Sequence, residues 1–215
     1  MQRAILWDND GVLVDTERWF FEANRLELEE LGVTATWAHF EEINLKQGVS
    51  LLSLSGLEGE DLQALYARRD ARYGGLLRAQ HLAIPGMVAL LQRMKARCAT
   101  MGIVTSSVRE HFDLIHGDSG VLDHIDFAVV REDYPLTKPN PDGYLVGIER
   151  TGLDARDCIA IEDSPRGIAA ARAAGVDCVF FTPAGVGAER DVGQVLDRAA
   201  SAEELEVVLE RWLRQ

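Results

Sequence analysis

Four short stretches of the chain carry side chains that could do chemistry together. The first is Asp8-Asn9-Asp10-Gly11, which directly follows the apolar run Ala4-Ile5-Leu6-Trp7. Two carboxylates two residues apart at a strand's end would share the crevice outside the sheet, where open α/β folds bind ligands. Their repulsion raises one pKa unless a cation such as Mg²⁺ neutralises the pair. Gly11 lets the backbone turn sharply behind them. A solvated acidic turn is the plain alternative. Calcium loops open in the same way, but the apolar strand in front makes calcium the poorer fit. The second stretch, Ile103-Val104-Thr105-Ser106-Ser107, ends a strand in three hydroxyls that could hold a phosphate, or that could simply cap a helix. The third, Leu136-Thr137-Lys138-Pro139-Asn140-Pro141, sets a lysine among turn residues. It is a solvated loop charge unless it reaches the crevice and meets a phosphoryl oxygen or a nucleophile. The fourth, Ile159-Ala160-Ile161-Glu162-Asp163-Ser164-Pro165, ends another apolar run in a second acidic pair. Those acids would either meet the first pair around a metal or complement a helix N-terminus.

Each stretch needs an element to hold it. Apolar runs at residues 4–7, 101–104, 127–130, 158–161 and 178–181 suit strands buried on both faces, as in a parallel sheet covered by helices. Helical patterns lie between them. Met87, Leu90, Leu91 and Met94 fall at helical spacing within 86–97. Ser164-Pro165 opens a helix that stops at Gly175, and Ser201-x-x-Glu204 opens the last, with Leu205, Val208, Leu209, Trp212 and Leu213 on one face. This alternation predicts an α/β fold with a Rossmann-like parallel sheet. Residues 16–84 break it with two helical segments, about 17–31 and 60–79. Phe20, Phe21, Leu28 and Leu31 share one arc of the first, and Gly74-Gly75 and Pro85-Gly86 mark turning points. The predicted organisation is a core of residues 1–15 and 85–215 with an all-helical insertion at 16–84.

The 215 residues include 22 basic and 35 acidic ones, a net charge of −13, which disfavours nucleic-acid backbones and anionic membranes as partners. Arg68, Arg69 and Arg72 are too sparse a patch to reverse that. No run reaches the 18 or so apolar residues of a membrane helix, and no secretory signal opens the chain. Three cysteines without a C-x-x-C pair suit a reduced, cytoplasmic setting. The five histidines show no metal spacing, and His111 and His116 are expected at a surface. Tryptophans 7, 19, 37 and 212 are expected to pack. Gly185-Val186-Gly187 lacks the third glycine of a dinucleotide fingerprint.

The ordered set of acid, hydroxyl, lysine and acid resembles the haloacid dehalogenase superfamily, in particular its β-phosphoglucomutase-like and phosphatase-like members with a helical cap. The resemblance covers nearly the whole chain and is most specific over Asp8 to Glu17 and Ile161 to Gly175. It implies that Asp8 is a nucleophile and Asp10 a general acid/base. Thr105 and Lys138 would hold the phosphoryl group, with Gly11, Ser106, Ser107 and Arg69 as further phosphate contacts. Asp8, Asp10, Glu162 and Asp163 would form a Mg²⁺ site, and 16–84 would be the cap. The implied activity is phosphate release from a small phosphorylated metabolite, such as a sugar phosphate, through an aspartyl-phosphate. Asn9 stands where the family usually has an apolar residue, and its side chain is expected to point away from the crevice.

A sugar phosphomutase uses the same intermediate, and a phospho-accepting receiver domain combines similar groups. Receivers are shorter and lack the helical insertion. The mutase pattern has a histidine where this chain has Phe20, and an arginine for a second phosphate where it has Leu51. Phosphorus NMR of sugar monophosphates should therefore record free phosphate, without interconversion of β-glucose 1-phosphate and glucose 6-phosphate. Interconversion with negligible free phosphate would make the protein a mutase.

Overall fold

The five apolar runs all become strands: β1 (Ala4–Trp7), β2 (Thr100–Val104), β3 (Phe127–Val129), β4 (Cys158–Glu162) and β5 (Asp177–Phe181). The computed structural model describes residues 2–78, 80, 82–183 and 188–215. Gly185-Val186-Gly187 lies outside them. A sixth strand, β6 (Asp197–Ala199), was not predicted, because three residues reading Asp-Arg-Ala carry no apolar run. The sheet is parallel throughout, in the order β3-β2-β1-β4-β5-β6. β1 is central and wholly buried, with Trp7 beside Ile103 of β2 and Ile161 of β4. Strand order reverses between β1 and β4. Ligand crevices of open α/β sheets form at the C-terminal ends of strands at such a switch point, and both acidic pairs follow there.

The helices of this unit are α4 (Met87–Lys95), α5 (Arg109–His116), α6 (Asp142–Thr151), α7 (Pro165–Ala173) and α8 (Ala202–Leu213). Met87, Leu90, Leu91 and Met94 are all buried on α4. The Ser164 hydroxyl caps α7 by accepting from Gly167 N–H, and Ser201 caps α8 by accepting from Glu204 N–H. One face of the sheet, with Leu6, Val104, Ala160 and Phe180, packs against Tyr144 of α6 and Ile168, Ala170 and Ala171 of α7. The surface expectation for His111 and His116 is corrected, since both are buried. With Phe112 and Ile115 they make up the buried stripe of α5, and helical spacing placed them there regardless of polarity. Cys98, Cys158 and Cys178 are unpaired, and among the described residues no helix is long and apolar enough to cross a membrane.

Contacts divide the chain into Met1–Asp15 with Leu82–Gln215, and Thr16–His81. Residues 82–84 join the first unit through backbone pairing, Asp15 N–H to Leu82 O and Ile84 N–H to Leu13 O. The second unit holds α1 (Glu17–Glu30), α2 (Trp37–His39), a π-helical segment at Phe40–Lys46, a 3₁₀ helix at Leu51–Ser55 and α3 (Gly59–Leu77). Its hydrophobic core is built on Leu28, Ala35, Phe40, Leu51, Leu52 and Leu65, with Phe20, Phe21 and Trp37 packed around them. Two expectations fail here. Gly74-Gly75 lie inside α3, where burial of Gly74 between Tyr73 and Leu77 outweighs the helix-propensity cost of about 1 kcal/mol per glycine. Leu31 follows α1 and is exposed.

α1 and α3 are joined by charge as well as packing. Glu27 is buried, and its carboxylate accepts from Arg68 Nε at 2.8 Å and Arg72 Nε at 2.7 Å. Burial would raise its pKa, but the two guanidiniums outweigh that and hold it below its ordinary 4.5. A carboxyl lowered by folding stabilises above its unfolded pKa and loses that contribution as pH falls through the folded value. Glu27→Gln should therefore cost about 1–2 kcal/mol at pH 7, two charge-assisted bonds discounted for the solvent screening of Arg68 and Arg72. Urea denaturation should show the difference from wild type shrinking below about pH 4.

Candidate active site

The Asp8 backbone N–H bonds to Ile161 O at 2.9 Å, so the turn after β1 is still tied to β4 when the first carboxylate emerges. Asp8 is buried. Its Oδ1 accepts from Lys138 Nζ at 2.6 Å, and the same ammonium donates to Glu162 Oε1 at 2.6 Å and to Val104 O at 3.0 Å. Lys138 thus spends its three donors on the ends of β1, β4 and β2. The loop that carries it is held by the Arg166 guanidinium, which donates to Lys138 O. The lysine does reach the crevice.

Glu162 is fully buried, and its Oε1 also accepts from the Tyr144 hydroxyl at 2.6 Å. Burial first, then the Glu162 and Asp8 carboxylates, keep that phenol protonated far above its ordinary range. Gly167 makes the seat possible, because a Cβ there would overlap the Glu162 carboxylate. Gly11 has the same relation to Asp163: a Cβ would overlap Asp163 Oδ2, and its φ of +81° independently favours glycine.

The second aspartate lives in different surroundings. Asp10 is half-buried, and its Oδ2 accepts from Ser107 Oγ at 2.7 Å, Thr105 Oγ1 at 3.2 Å and Asn9 Nδ2 at 3.3 Å. Thr105 Oγ1 also accepts from Ser107 N–H, which folds the hydroxyl turn back on itself. The helix-cap alternative for these hydroxyls does not hold, since Val108 is the N-cap of α5 and makes no side-chain cap. Ser106 is exposed at the same turn.

Burial, and next to it the Glu162 carboxylate, push the Asp8 carboxyl up to about 8, although Lys138 pulls it down. Burial alone would lower Lys138; Asp8 and Glu162 instead carry it well above its ordinary value. The cluster holds more negative charge than one ammonium balances. Asp8, Glu162 and Asp163 each bring a carboxylate oxygen within 4.8 Å of the others, and such an all-oxygen set fits a hard divalent cation.

Asn9 turns its side chain into the core, towards α5. Its side chain is buried and bonds both Asp10 and His116. Asn9, His116, Tyr144 and Gly167 are the residues that sequence reasoning missed. Only Gly167 had a local signal, a glycine in the first turn of α7. In the helical unit, Arg69 is engaged by Asp70 and Asn24 and lies 4.5 Å over the Phe20 ring. Leu51 is fully buried there.

The family model of haloacid dehalogenase-like hydrolases matches residues 2–175. A phosphoglycolate phosphatase of Xanthomonas campestris is 29% identical over 180 residues, covering 82% of this chain and 81% of its own length. Among solved structures, the CbbY protein of Rhodobacter sphaeroides in complex with phosphate superposes with a TM-score of 0.79 at 19% identity, over 95% of this chain and 96% of that one. β-Phosphoglucomutase from Clostridium difficile gives 0.82 at 19% identity over all of both chains. At such identities these two structures establish the fold.

The raised Asp8 carboxyl carries a stability consequence. A carboxyl raised by folding costs stability as pH climbs from its unfolded value, ordinarily 3.8, to the folded one near 8. In EDTA-treated protein, Asp8→Asn should therefore gain in Tm relative to wild type between pH 5 and pH 8. Thermal melts at both pH values check this.

Proposed function

This chain belongs to the haloacid dehalogenase-like hydrolase family, and we propose that it is a Mg²⁺-dependent phosphatase that hydrolyses a small phosphorylated metabolite, of the sugar-phosphate class, through an aspartyl-phosphate on Asp8. The observation that carries this reading is the contrast between two neighbouring carboxylates. Asp8 is buried and clamped by Lys138, while Asp10 is set among hydroxyls. One environment suits a fixed nucleophile and the other a proton carrier.

In the first step an Asp8 oxygen bonds to phosphorus as the bond to the leaving oxygen breaks, and Asp10 gives that oxygen its proton. In the second, water attacks phosphorus, Asp10 takes the water's proton, and the bond to Asp8 breaks to release phosphate. Splitting the hydrolysis in two lowers each barrier, and the proton transfers contribute roughly 10²–10⁴-fold. The Lys138 charge, with the Thr105, Ser106 and Ser107 hydroxyls, offsets the charge of the phosphoryl oxygens, which Asp8 would otherwise repel. When bound, Mg²⁺ would be held by Asp8, Glu162 and Asp163 and would supply the remaining neutralisation of charge on the phosphoryl group.

Hydrolysis is favoured over return of the phosphoryl group to a sugar by the places of Phe20 and Leu51. Both pack in the core of the helical unit, and neither can accept a sugar hydroxyl's proton or pair with a second phosphate.

A panel of phosphorylated metabolites assayed with Mg²⁺ for released phosphate tests the reading. Asp8→Asn should keep the circular dichroism of the wild type and lose roughly 10³-fold or more in turnover, the scale of losing a nucleophile. Asp163→Asn and EDTA should each remove most activity, and re-added Mg²⁺ should restore the chelated wild type. Near-normal turnover by Asp8→Asn, or full activity after exhaustive chelation, would contradict the mechanism.

A further inference from the structure

We infer that Asn9 and His116 are positioning residues that set the rotation of the Asp10 carboxyl through a chain of hydrogen bonds anchored in the backbone after α5; the inference rests on the phosphatase reading above. Asn9 is fully buried between the two aspartates. Its backbone carbonyl accepts from Val12, Leu13 and Val14 N–H at 3.3, 2.8 and 3.1 Å, so the main chain of the turn is closed around it. Its side chain faces His116 Nε2, 2.7 Å from Oδ1, and Asp10 Oδ2, 3.3 Å from Nδ2.

Electrostatics fixes the direction of the chain. Reversing the Asn9 amide would turn its oxygen onto the Asp10 carboxylate, so Nδ2 faces Asp10 and Oδ1 faces the histidine. An amide oxygen only accepts, which places the imidazole proton on Nε2. Burial lowers His116 to about 4, leaving the ring neutral, and a neutral ring protonated on Nε2 accepts at Nδ1. The Ser119 hydroxyl lies 2.9 Å from Nδ1, and Ser119 Oγ in turn accepts from Val121 N–H at 3.1 Å. The Phe112 ring, 4.6 Å from the imidazole, packs against it. Serine to histidine to asparagine to aspartate is one directed relay of donors.

At its end, three donors converge on Asp10 Oδ2, from Asn9, Thr105 and Ser107. Together they fix the rotation of the carboxyl, and Oδ1 becomes the oxygen that meets the leaving group. The two hydroxyls can rotate towards other acceptors, whereas the buried amide, held by His116, cannot. A polar pair that merely fastened α5 to the turn would contribute to stability alone. Positioning the acid makes a separate demand, which leaving-group dependence exposes.

The test compares kcat/KM for a sugar monophosphate, whose alkoxide needs a proton, with kcat/KM for p-nitrophenyl phosphate, whose phenolate hardly does. In Asn9→Leu the sugar phosphate should lose about ten-fold, the net worth of one hydrogen bond, through kcat and not KM, and p-nitrophenyl phosphate less than two-fold. His116→Gln carries an amide N–H near the position of Nε2 and should stay close to wild type. His116→Asn places its amide near Nδ1 instead and should behave like Asn9→Leu. This polar pair decides the matter even if the leucine variant does not fold. Equal losses on both substrates, or no difference between His116→Gln and His116→Asn at matched Tm, would overturn the positioning role. If wild type releases phosphate from neither substrate, the phosphatase reading fails instead. Long-range ¹H–¹⁵N NMR then judges the relay itself: an imidazole proton on Nε2 supports it, and one on Nδ1 overturns it.

Discussion

One ammonium group ties three strand ends together, and the rest of the site depends on it. A buried charge is tolerated only when paired and hydrogen-bonded, and Lys138 meets that condition with Asp8, Glu162 and Val104 O. Those partners end β1, β4 and β2, the central strands on either side of the point where sheet order reverses. The sheet brings two carboxylates together in buried positions; the lysine lets them coexist there. Glycine then completes the arrangement by subtraction. Glu162 can be fully buried beneath α7 only because Gly167 has no Cβ, and Asp163 can approach the first turn only because Gly11 has none.

The same geometry separates two residues that look alike in sequence. Asp8 and Asp10 are two positions apart, yet one is buried against a lysine and another carboxylate, while the other is half-buried among hydroxyls. Paired catalytic carboxylates gain distinct roles through unlike surroundings of this kind. The asymmetry begins with the turn: Asn9 between them puts its side chain into the core, towards α5, and closes the turn through its carbonyl.

What could be read in advance follows from how local each signal is. β1 and β4 announced themselves because strands buried on both faces must be apolar at every position. β6 did not, because a three-residue Asp-Arg-Ala strand at the sheet's edge obeys no such demand. The lysine's arrival in the crevice could be stated only as a condition, since it depends on how a loop 130 residues beyond Asp8 folds back. The Asn9–His116 contact was missed for the same reason: the two are 107 residues apart, and a polar side chain carries no mark of a distant partner. Gly74-Gly75 misled in the opposite direction, because packing along α3 outweighed a local turn signal.

Charge in the helical unit completes the argument. Arg68, Arg69 and Arg72 form the basic run of the helical unit, and the structure spends them internally. Arg68 and Arg72 neutralise the buried Glu27, and Arg69 is shared between Asp70, Asn24 and the Phe20 ring. Arg68 and Arg72 are costly to withdraw for a ligand, because Glu27 would be left as an uncompensated buried charge. Under the phosphatase reading, the phosphoryl group is met by the core unit's own lysine and hydroxyls. Lys138 with Thr105, Ser106 and Ser107 would provide for one such group.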